Sequence, residues 1–425
     1  MYLTRRNAEI YQLLTVAKND INPKSHACLL FGSTIDMKSL EARRALASFT
    51  GFGLTAFRRK NNTDTTATPF SFSFRLQSSS STTSKRKKLY DLEVYISRSR
   101  SPYFNLSYED YLFKTFPAYT SYSASSTQLS KKVLFLYTNY RSVIIGRNQN
   151  PWRETNVQSL RRHNVPLIRR KSGGGTVFHD EGNVNYSVMM PGNSFDRDEH
   201  ALLLCTALNP VFRQRGEETV LSVNERHDIV NQNARKVSGS AYKLQRGKAY
   251  HHGTMLLNSR LEMLSKLLHH SVDSGLEVVE GPGVQSVRSP VANIGISNEL
   301  FVNTAIAAFE REYTTGSDNV FKVRYVDEDS ITKEEDREIN KSIDELQSWE
   351  WTFGSTPKFV HRFLVGDSTP AVSFTVKEGT ILDLESNVQE FTEHKDSIIG
   401  TPYRGADVAS RIDSERWKQR LVGAI

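Results

Sequence analysis

Cysteine is scarce: two, Cys28 and Cys205, in 425 residues. That excludes a disulfide scaffold and a thiolate zinc site. Cys205 follows three leucines, so a buried, inert thiol is expected there. No run of about 18 apolar residues occurs, which predicts no bilayer-spanning helix. Internal repeats are absent, and no glycine is followed by the Lys-Ser/Thr pair of a P-loop. Surplus charge is missing where it would matter for nucleic acid. The formal charge is +8, but residues 1–88 hold 15 Lys/Arg against 5 Asp/Glu. The remainder holds 40 against 42, which argues against a phosphate-backbone binder.

The N-terminal stretch is basic and polar. From Met37 it reads MKSLEARRALASFTGFGLTAFRRK, with Arg43, Arg44, Arg58 and Arg59 against the acid Glu41. Ala42, Leu46, Phe49 and Phe57 can share a helix face. A Ser/Thr-rich segment and the cluster Lys85-Arg86-Lys87-Lys88 follow. An Arg- and Ser-rich, acid-poor amphipathic start is the pattern of a mitochondrial transit peptide; a basic tail without an address is the alternative. Because this pattern begins at Met37, residues 1–36 read as an upstream extension or a mis-set start codon. The expectation is a disordered extension over 1–88 carrying a mitochondrial matrix address.

The rest reads as α+β, with strands and helices mixed but no strict βαβ alternation. Strands are expected at Leu89–Ile96, Val133–Tyr137 paired with Ser142–Gly146, Val165–Arg170, Val184–Val188 and Tyr250–Leu257. Helices are expected from a Ser107/Asp110 capping box, from Asn150-Pro151 to Asn164, over His200–Leu208 ending or kinking before Pro210, and after Ser259/Glu262. A domain over 89–330 is followed by an acidic linker, Asp327–Asp336, and a smaller domain over 335–425. The latter holds a Thr332/Glu335-capped helix, strands at Phe359–Val365 and Val372–Val376, and a closing helix after Tyr403.

Three segments suggest chemistry. In Arg169-Arg170-Lys171-Ser172-Gly173-Gly174-Gly175-Thr176-Val177-Phe178-His179-Asp180, three glycines remove every Cβ from a turn, so backbone N–H groups can approach an anion, with arginines beside them. In Arg235-Lys236-Val237-Ser238-Gly239-Ser240-Ala241, a lysine among small residues can place one compact positive charge. In His251-His252-Gly253-Thr254, adjacent histidines on a strand face opposite ways, so they cannot share a metal. Singly, each also fits a plain turn, a surface lysine or a core strand.

Together and in this order, these segments resemble the lipoate-protein ligase A family, of the eukaryotic, fungal mitochondrial type. FNLSYEDYLF from Phe104, VIIGRNQNPW from Val143, SVRSPVAN from Ser286 and SWEWTFG from Ser348 fit the same family. The resemblance implies a biotin/lipoate protein ligase-like catalytic domain with a small C-terminal α+β accessory domain. It implies activation of lipoate with MgATP to lipoyl-AMP, then transfer to a lysine of apo lipoyl domains of 2-oxoacid dehydrogenase E2 subunits or of glycine-cleavage H protein. No nucleic-acid or membrane partner is implied. The family's nucleotide contacts fall on Arg170, Gly175, Thr176, Val177 and Phe178. Its essential lysine falls on Lys236, touching both the lipoate carboxylate and ATP. Val143, His252 and Gly253 are candidates for the acyl tunnel, and Arg147 and Glu109 for supporting roles.

This sequence departs from the family at His227-Asp228, where an Asn-Asp pair is common, and at Lys171, which can tune phosphate binding or stand exposed. The magnesium ligands are unassigned, with Asp228 the candidate. Three rivals stay open: an ATP-independent octanoyl or lipoyl transferase using acyl-CoA or an acylated protein, a biotin ligase, and a non-catalytic assembly factor. The GRGRRG loop of biotin ligases is absent. Keeping the glycine turn, Lys236 and the His252-Gly253-Thr254 turn argues against a decayed enzyme.

Overall fold

The computed structural model describes residues 90–117, 130–268, 277–314, 321–365 and 369–425. The expected transit peptide, and Cys28 with it, lies outside the described residues. No described helix is long and apolar enough to cross a membrane.

The chain opens with β1 (Tyr90–Ser97) and α1 (Pro102–Thr115), followed by β2 (Ser130–Tyr137), β3 (Ser142–Ile145), α2 (Pro151–Glu154) and α3 (Val157–Arg162). β4 (Leu167–Arg169) and β5 (Val177–His179) bracket the glycine turn, and β6 (Asn183–Pro191) leads to α4 (Glu199–Gln214). A run of short strands comes next: β7 (Ser222–Val223), β8 (Ile229–Val230), β9 (Lys236–Ser238), β10 (Ser240–Gln245) and β11 (Lys248–Leu256). Then come α5 (Leu261–Leu268), β12 (Glu277–Glu280), α6 (Asn298–Tyr313), β13 (Phe321–Val326) and α7 (Lys333–Gln347). After a π-helical turn, Glu350–Gly354, the chain forms β14 (Phe359–Val365), β15 (Thr369–Lys377) and β16 (Thr380–Ser386). It closes with α8 (Gln389–Glu393), α9 (Lys395–Ile398), α10 (Gly405–Ala409) and α11 (Glu415–Ala424).

A six-stranded sheet, ordered β10-β11-β6-β2-β1-β13, is the centre. Strand alternation gives it two apolar faces. Leu92, Val94, Leu134, Leu136, Tyr186 and Val188 pack against Leu204, Leu208 and Phe212 of α4 and Phe301 and Phe309 of α6. On the other face Tyr95, Val133, Phe135 and Tyr137 meet Phe104, Tyr108 and Phe113 of α1 and Ile339 of α7. A second sheet, β12-β14-β15-β16, builds its own core with the C-terminal helices. Trp152 and Val157, from α2 and α3, insert into that second core. The small sheets β4-β3-β5 and β7-β8-β9 carry the glycine-turn segment and Lys236, while β11 of the six-stranded sheet carries the His-His-Gly-Thr segment.

Several expected boundaries move. α1 begins five residues before Ser107, because the Ser101 hydroxyl accepts the Phe104 N–H and Pro102 stands in the first turn. β2 and β3 do not pair with each other; β2 lies between β1 and β6, and β3 between β4 and β5. The helix expected to Asn164 breaks at Thr155, and Asn156 caps a new one by accepting the Ser159 N–H. α4 does not end before Pro210 but continues to Gln214, its apolar stripe outweighing one missing N–H donor. α7 carries the Thr332/Glu335 capping box and lays Ile339 against α1.

Arg169 fastens the glycine-turn region to the C-terminal segment. Its side chain is fully buried. Nη1 donates to the Gln149 carbonyl at 2.7 Å and to Arg147 O at 3.0 Å; Nη2 donates to Thr352 O at 2.7 Å and Thr356 Oγ1 at 2.8 Å. Burial lowers its pKa to about 9, so it is still a cation at neutral pH. Substituting Arg169→Met leaves these buried acceptors without donors at about 1–3 kcal/mol each. The expected outcome is a loss of about 3 kcal/mol or more in stability, read as a lower urea midpoint; an unchanged midpoint would contradict this account of the fastening.

Candidate functional site

Where β5, β6, β11 and the β9–β10 turn converge, a cavity of about 220 Å³ opens, lined by residues of all three sequence-predicted segments. Arg170, Gly175, Thr176, Val177, Asp228, Lys236, His252 and Gly253 all border it. Tyr137, Ile144, Val177, Leu106 and Ala241 supply apolar wall, suited to an acyl chain.

Arg170 folds back on the glycine turn. Nη2 donates to Gly173 O at 2.6 Å and Gly175 O at 2.8 Å, and Nε donates to Ser172 Oγ at 3.0 Å. Burial lowers its pKa to about 10. Gly174 has φ +95°, and a Cβ there would meet the Arg170 guanidinium at 2.7 Å, so only glycine makes this turn without strain. The Ser172 hydroxyl, accepting from Arg170, lies 2.9 Å from His252 Nε2. His252 Nδ1 in turn lies 3.1 Å from both carboxylate oxygens of Glu109. These bonds fit an imidazole protonated at Nδ1 that accepts the serine proton at Nε2. The buried Glu109 carboxylate also balances the buried guanidinium through this chain.

Lys236 sits across the cavity. Its Nζ lies 2.8 Å from Asp228 Oδ1, with 24% of the lysine side chain and 8% of the aspartate exposed. The strand is held from outside: Lys236 N donates to Pro290 O at 2.8 Å and Ala292 N to Lys236 O at 3.0 Å. The SVRSPVAN segment therefore clamps the lysine strand, while its first residue reaches the glycine turn. Ser286 Oγ accepts the Thr176 N–H at 2.9 Å and Gln149 Nε2 at 3.0 Å.

Not every expected residue faces the cavity. Val143 and Phe178 pair in register across β3 and β5, and both point into a core with Leu160 and Leu267. Their strand neighbours Ile144 and Val177 face the cavity instead, as alternation requires. The Phe178 and Val143 side chains, expected at the nucleotide and the acyl tunnel, thus pack in this core and do not line the cavity. Gly253 does border the cavity, but a Cβ there would collide with the Tyr186 ring, so packing alone demands glycine. Lys171 does not line the cavity and does not stand free; it pairs with Glu345 and lies 3.7 Å from the centre of the Trp351 ring, which Arg147 also approaches at 4.1 Å. His227 turns outward to Asp198, Nδ1 to Oδ1 at 2.7 Å. Among the described residues no group of three His, Cys, Asp or Glu could hold a metal ion. Cys205 is buried in the main core, and desolvation pushes its thiol up to about 12, which removes it as a nucleophile.

Residues given no site role from sequence also border the cavity: His179, Thr254, Ser286 and Val287, which lie in the quoted segments, and Asn185, Arg226 and Gln285, which lie outside them. Asn139 Nδ2 lies 2.9 Å from His179 Nδ1. With Asn139 donating, His179 keeps its proton on Nε2. Burial, with Arg170 and His252 nearby, lowers its pKa to about 3. It is a neutral donor at physiological pH.

Residues 101–314 match the model of the lipoyl protein ligase A/B catalytic domain. A Schizosaccharomyces pombe protein provisionally named lipoate-protein ligase A is 41% identical over 334 residues, 75% of this chain and 85% of its own. The lipoate-protein ligase A of Bdellovibrio bacteriovorus is 32% identical over 351 residues, covering 77% of this chain and 93% of its own. The structure of P. falciparum LipL1 with lipoate shares the fold, with a TM-score of 0.50 and 24% identity over 78% of this chain and 98% of that one.

The buried imidazoles give a pH signature. His179 and, on the opposite face of β11, His251 both have pKa values lowered to about 3 by burial. Between about pH 6.5 and 3 the unfolded chain binds protons that the native protein does not, so stability is full above pH 6.5 and falls as pH falls. Each histidine should contribute a slope of about 1.4 kcal/mol per pH unit. Urea titrations between pH 7 and 5 should show it, and His251→Gln should flatten the slope by one proton; an identical slope in the variant would refute the assignment.

Proposed function

The chain belongs to the lipoate-protein ligase A family, and we propose that it activates lipoate with ATP and transfers the lipoyl group to a lysine of an apo lipoyl domain. The observation that carries this reading is the Lys236–Asp228 pair, which lines one cavity together with the glycine turn and the apolar side chains of Leu106, Ile144 and Val177. In the first half-reaction a lipoate carboxylate oxygen bonds to the α-phosphorus of ATP. The bond from that phosphorus to the bridging oxygen breaks, and pyrophosphate leaves with the electron pair. Two anions must meet, and the Lys236 ammonium offsets their repulsion and stabilises charge on the phosphoryl oxygens. His179 adds a neutral donor. In the second half-reaction the carrier lysine attacks the mixed anhydride and AMP leaves, so the enzyme supplies position and charge and needs no nucleophile of its own.

Mg²⁺ normally takes one or two protein carboxylates and fills its remaining positions with phosphate oxygens and water. Asp228 fits that small demand, being the carboxylate that lines the cavity. The ion, when bound, neutralises phosphate charge; Asp228 meanwhile orients Lys236. We read 89–330 as the catalytic part and 335–425 as an accessory part. E2 lipoyl domains and glycine-cleavage H protein are the proposed acceptors, since both present a lysine for lipoylation.

Incubating the protein with lipoate, MgATP and an apo lipoyl domain should add one lipoyl group by intact mass. Lys236→Ala should slow the addition about 10²-fold or more. Modification from octanoyl-coenzyme A without ATP, and none with lipoate and ATP, would sink the ligase reading in favour of a transferase.

The basic, Ser-rich stretch supports a mitochondrial matrix address. A reporter fused to residues 37–88 should enter mitochondria; diffuse cytosolic fluorescence would refute this.

A further inference from the structure

Most charge around the cavity is already matched. Arg170 is spent on the glycine-turn carbonyls, Lys236 and Asp228 neutralise one another, and His179 is held neutral. Arg226 is different. It borders the same cavity, its side chain is exposed, and among the described residues it has no ion-pair partner.

Its position is built rather than incidental. Arg226 lies at the tip of the β7–β8 hairpin, two residues before Asp228. Asn224 Oδ1 accepts the N–H of Arg226 at 2.9 Å and of Asp228 at 3.0 Å, and Asn224 N donates to Asp228 O at 3.0 Å. His227 between them adopts φ +63°, a left-handed conformation that a non-glycine residue enters only at a cost. Its imidazole, 2.7 Å from Asp198, fixes that conformation from outside. With His227 turned outward, Arg226 and Asp228 both border the cavity. The hairpin thus couples an arginine at the rim to the carboxylate that holds Lys236.

We propose that Arg226 is a further catalytic residue, binding the β- and γ-phosphates of ATP and stabilising the departing pyrophosphate. This rests on the ATP-dependent reading above. A guanidinium can take two phosphate oxygens at once. Lys236 is the more buried cation, suited to the site where carboxylate and α-phosphate join. Arg226 both borders the cavity and is exposed, so it can hold a highly charged group that must return to solvent. As the bond from the α-phosphorus to the bridging oxygen breaks, negative charge accumulates on pyrophosphate, and an arginine with no carboxylate partner among the described residues can meet it.

The two half-reactions separate the possibilities. Lipoate-dependent ATP–pyrophosphate exchange reads the first step, and transfer from preformed lipoyl-AMP to a lipoyl domain reads the second. Arg226→Ala should lower exchange about 10²-fold or more and raise KM for ATP. Arg226→Lys should recover part of the loss, as a point charge replaces a bidentate fork. Transfer from lipoyl-AMP should proceed at the wild-type rate, which also shows that the variant folds. Wild-type exchange in Arg226→Ala, or an equal fall in both half-reactions, would overturn the assignment. A wild-type protein that catalyses no exchange would overturn the ATP-dependent ligase reading itself, and Arg226 with it.

Discussion

Two consecutive arginines at the end of β4 point opposite ways, and both are buried. A guanidinium out of water is tolerated only when its donors find acceptors and its charge finds a counterweight. Arg169 finds backbone carbonyls on both sides of a junction: the Arg147–Gln149 loop and the Trp351–Thr352 turn. Arg170 finds the carbonyls of the glycine turn. The first demand joins the C-terminal segment to the small sheet that carries the glycine turn. The second shapes the turn that faces the cavity. Because the residues are adjacent, neither set of acceptors can shift without disturbing the other.

The Glu109–His252–Ser172 chain continues that constraint. It carries a compensating carboxylate to the buried arginine and ties α1 and β11 to the glycine turn. Its arrangement resembles a serine-nucleophile relay, yet Ser172 is buried and its hydroxyl already accepts from Arg170. The relay therefore sets geometry. Charge on the opposite wall is handled by one ion pair, Lys236 with Asp228, whose lysine strand is clamped by Pro290 and Ala292. Buried cations opposite a paired lysine make a site prepared for anions without a permanent excess of positive charge.

Much of this was legible in the sequence because the informative residues are contiguous. The glycine turn, the lysine segment and the His-Gly-Thr strand each declare an unusual backbone or side-chain demand, and the structure brings all three to one cavity. What escaped was set by tertiary partners. Which of Val143 and Ile144 faces the cavity depends on register against β5, and register is invisible in a four-residue apolar run. His179 lies in a stretch that was singled out, but its tautomer depends on Asn139, forty residues away. Arg226 lies outside the three segments, and only the hairpin brings it to the cavity. Ser107 and Asp110 satisfy a capping pattern inside a helix that Ser101 already starts, so local signals compete and the first usable cap prevails.

β12 lies between α5 and α6, inside the portion of chain that otherwise builds the six-stranded unit, yet it pairs with β14 of the second sheet. Directly after it, the chain passes over the glycine turn at Ser286 and reaches the lysine strand at Pro290. This stretch behaves like a tendon. One end is sewn to the C-terminal sheet, and the other is knotted to the two walls that would grip a nucleotide. Any displacement of that sheet would pull on both walls together, so a load borne by the C-terminal region, such as a docked carrier domain, has a direct mechanical route to the chemistry.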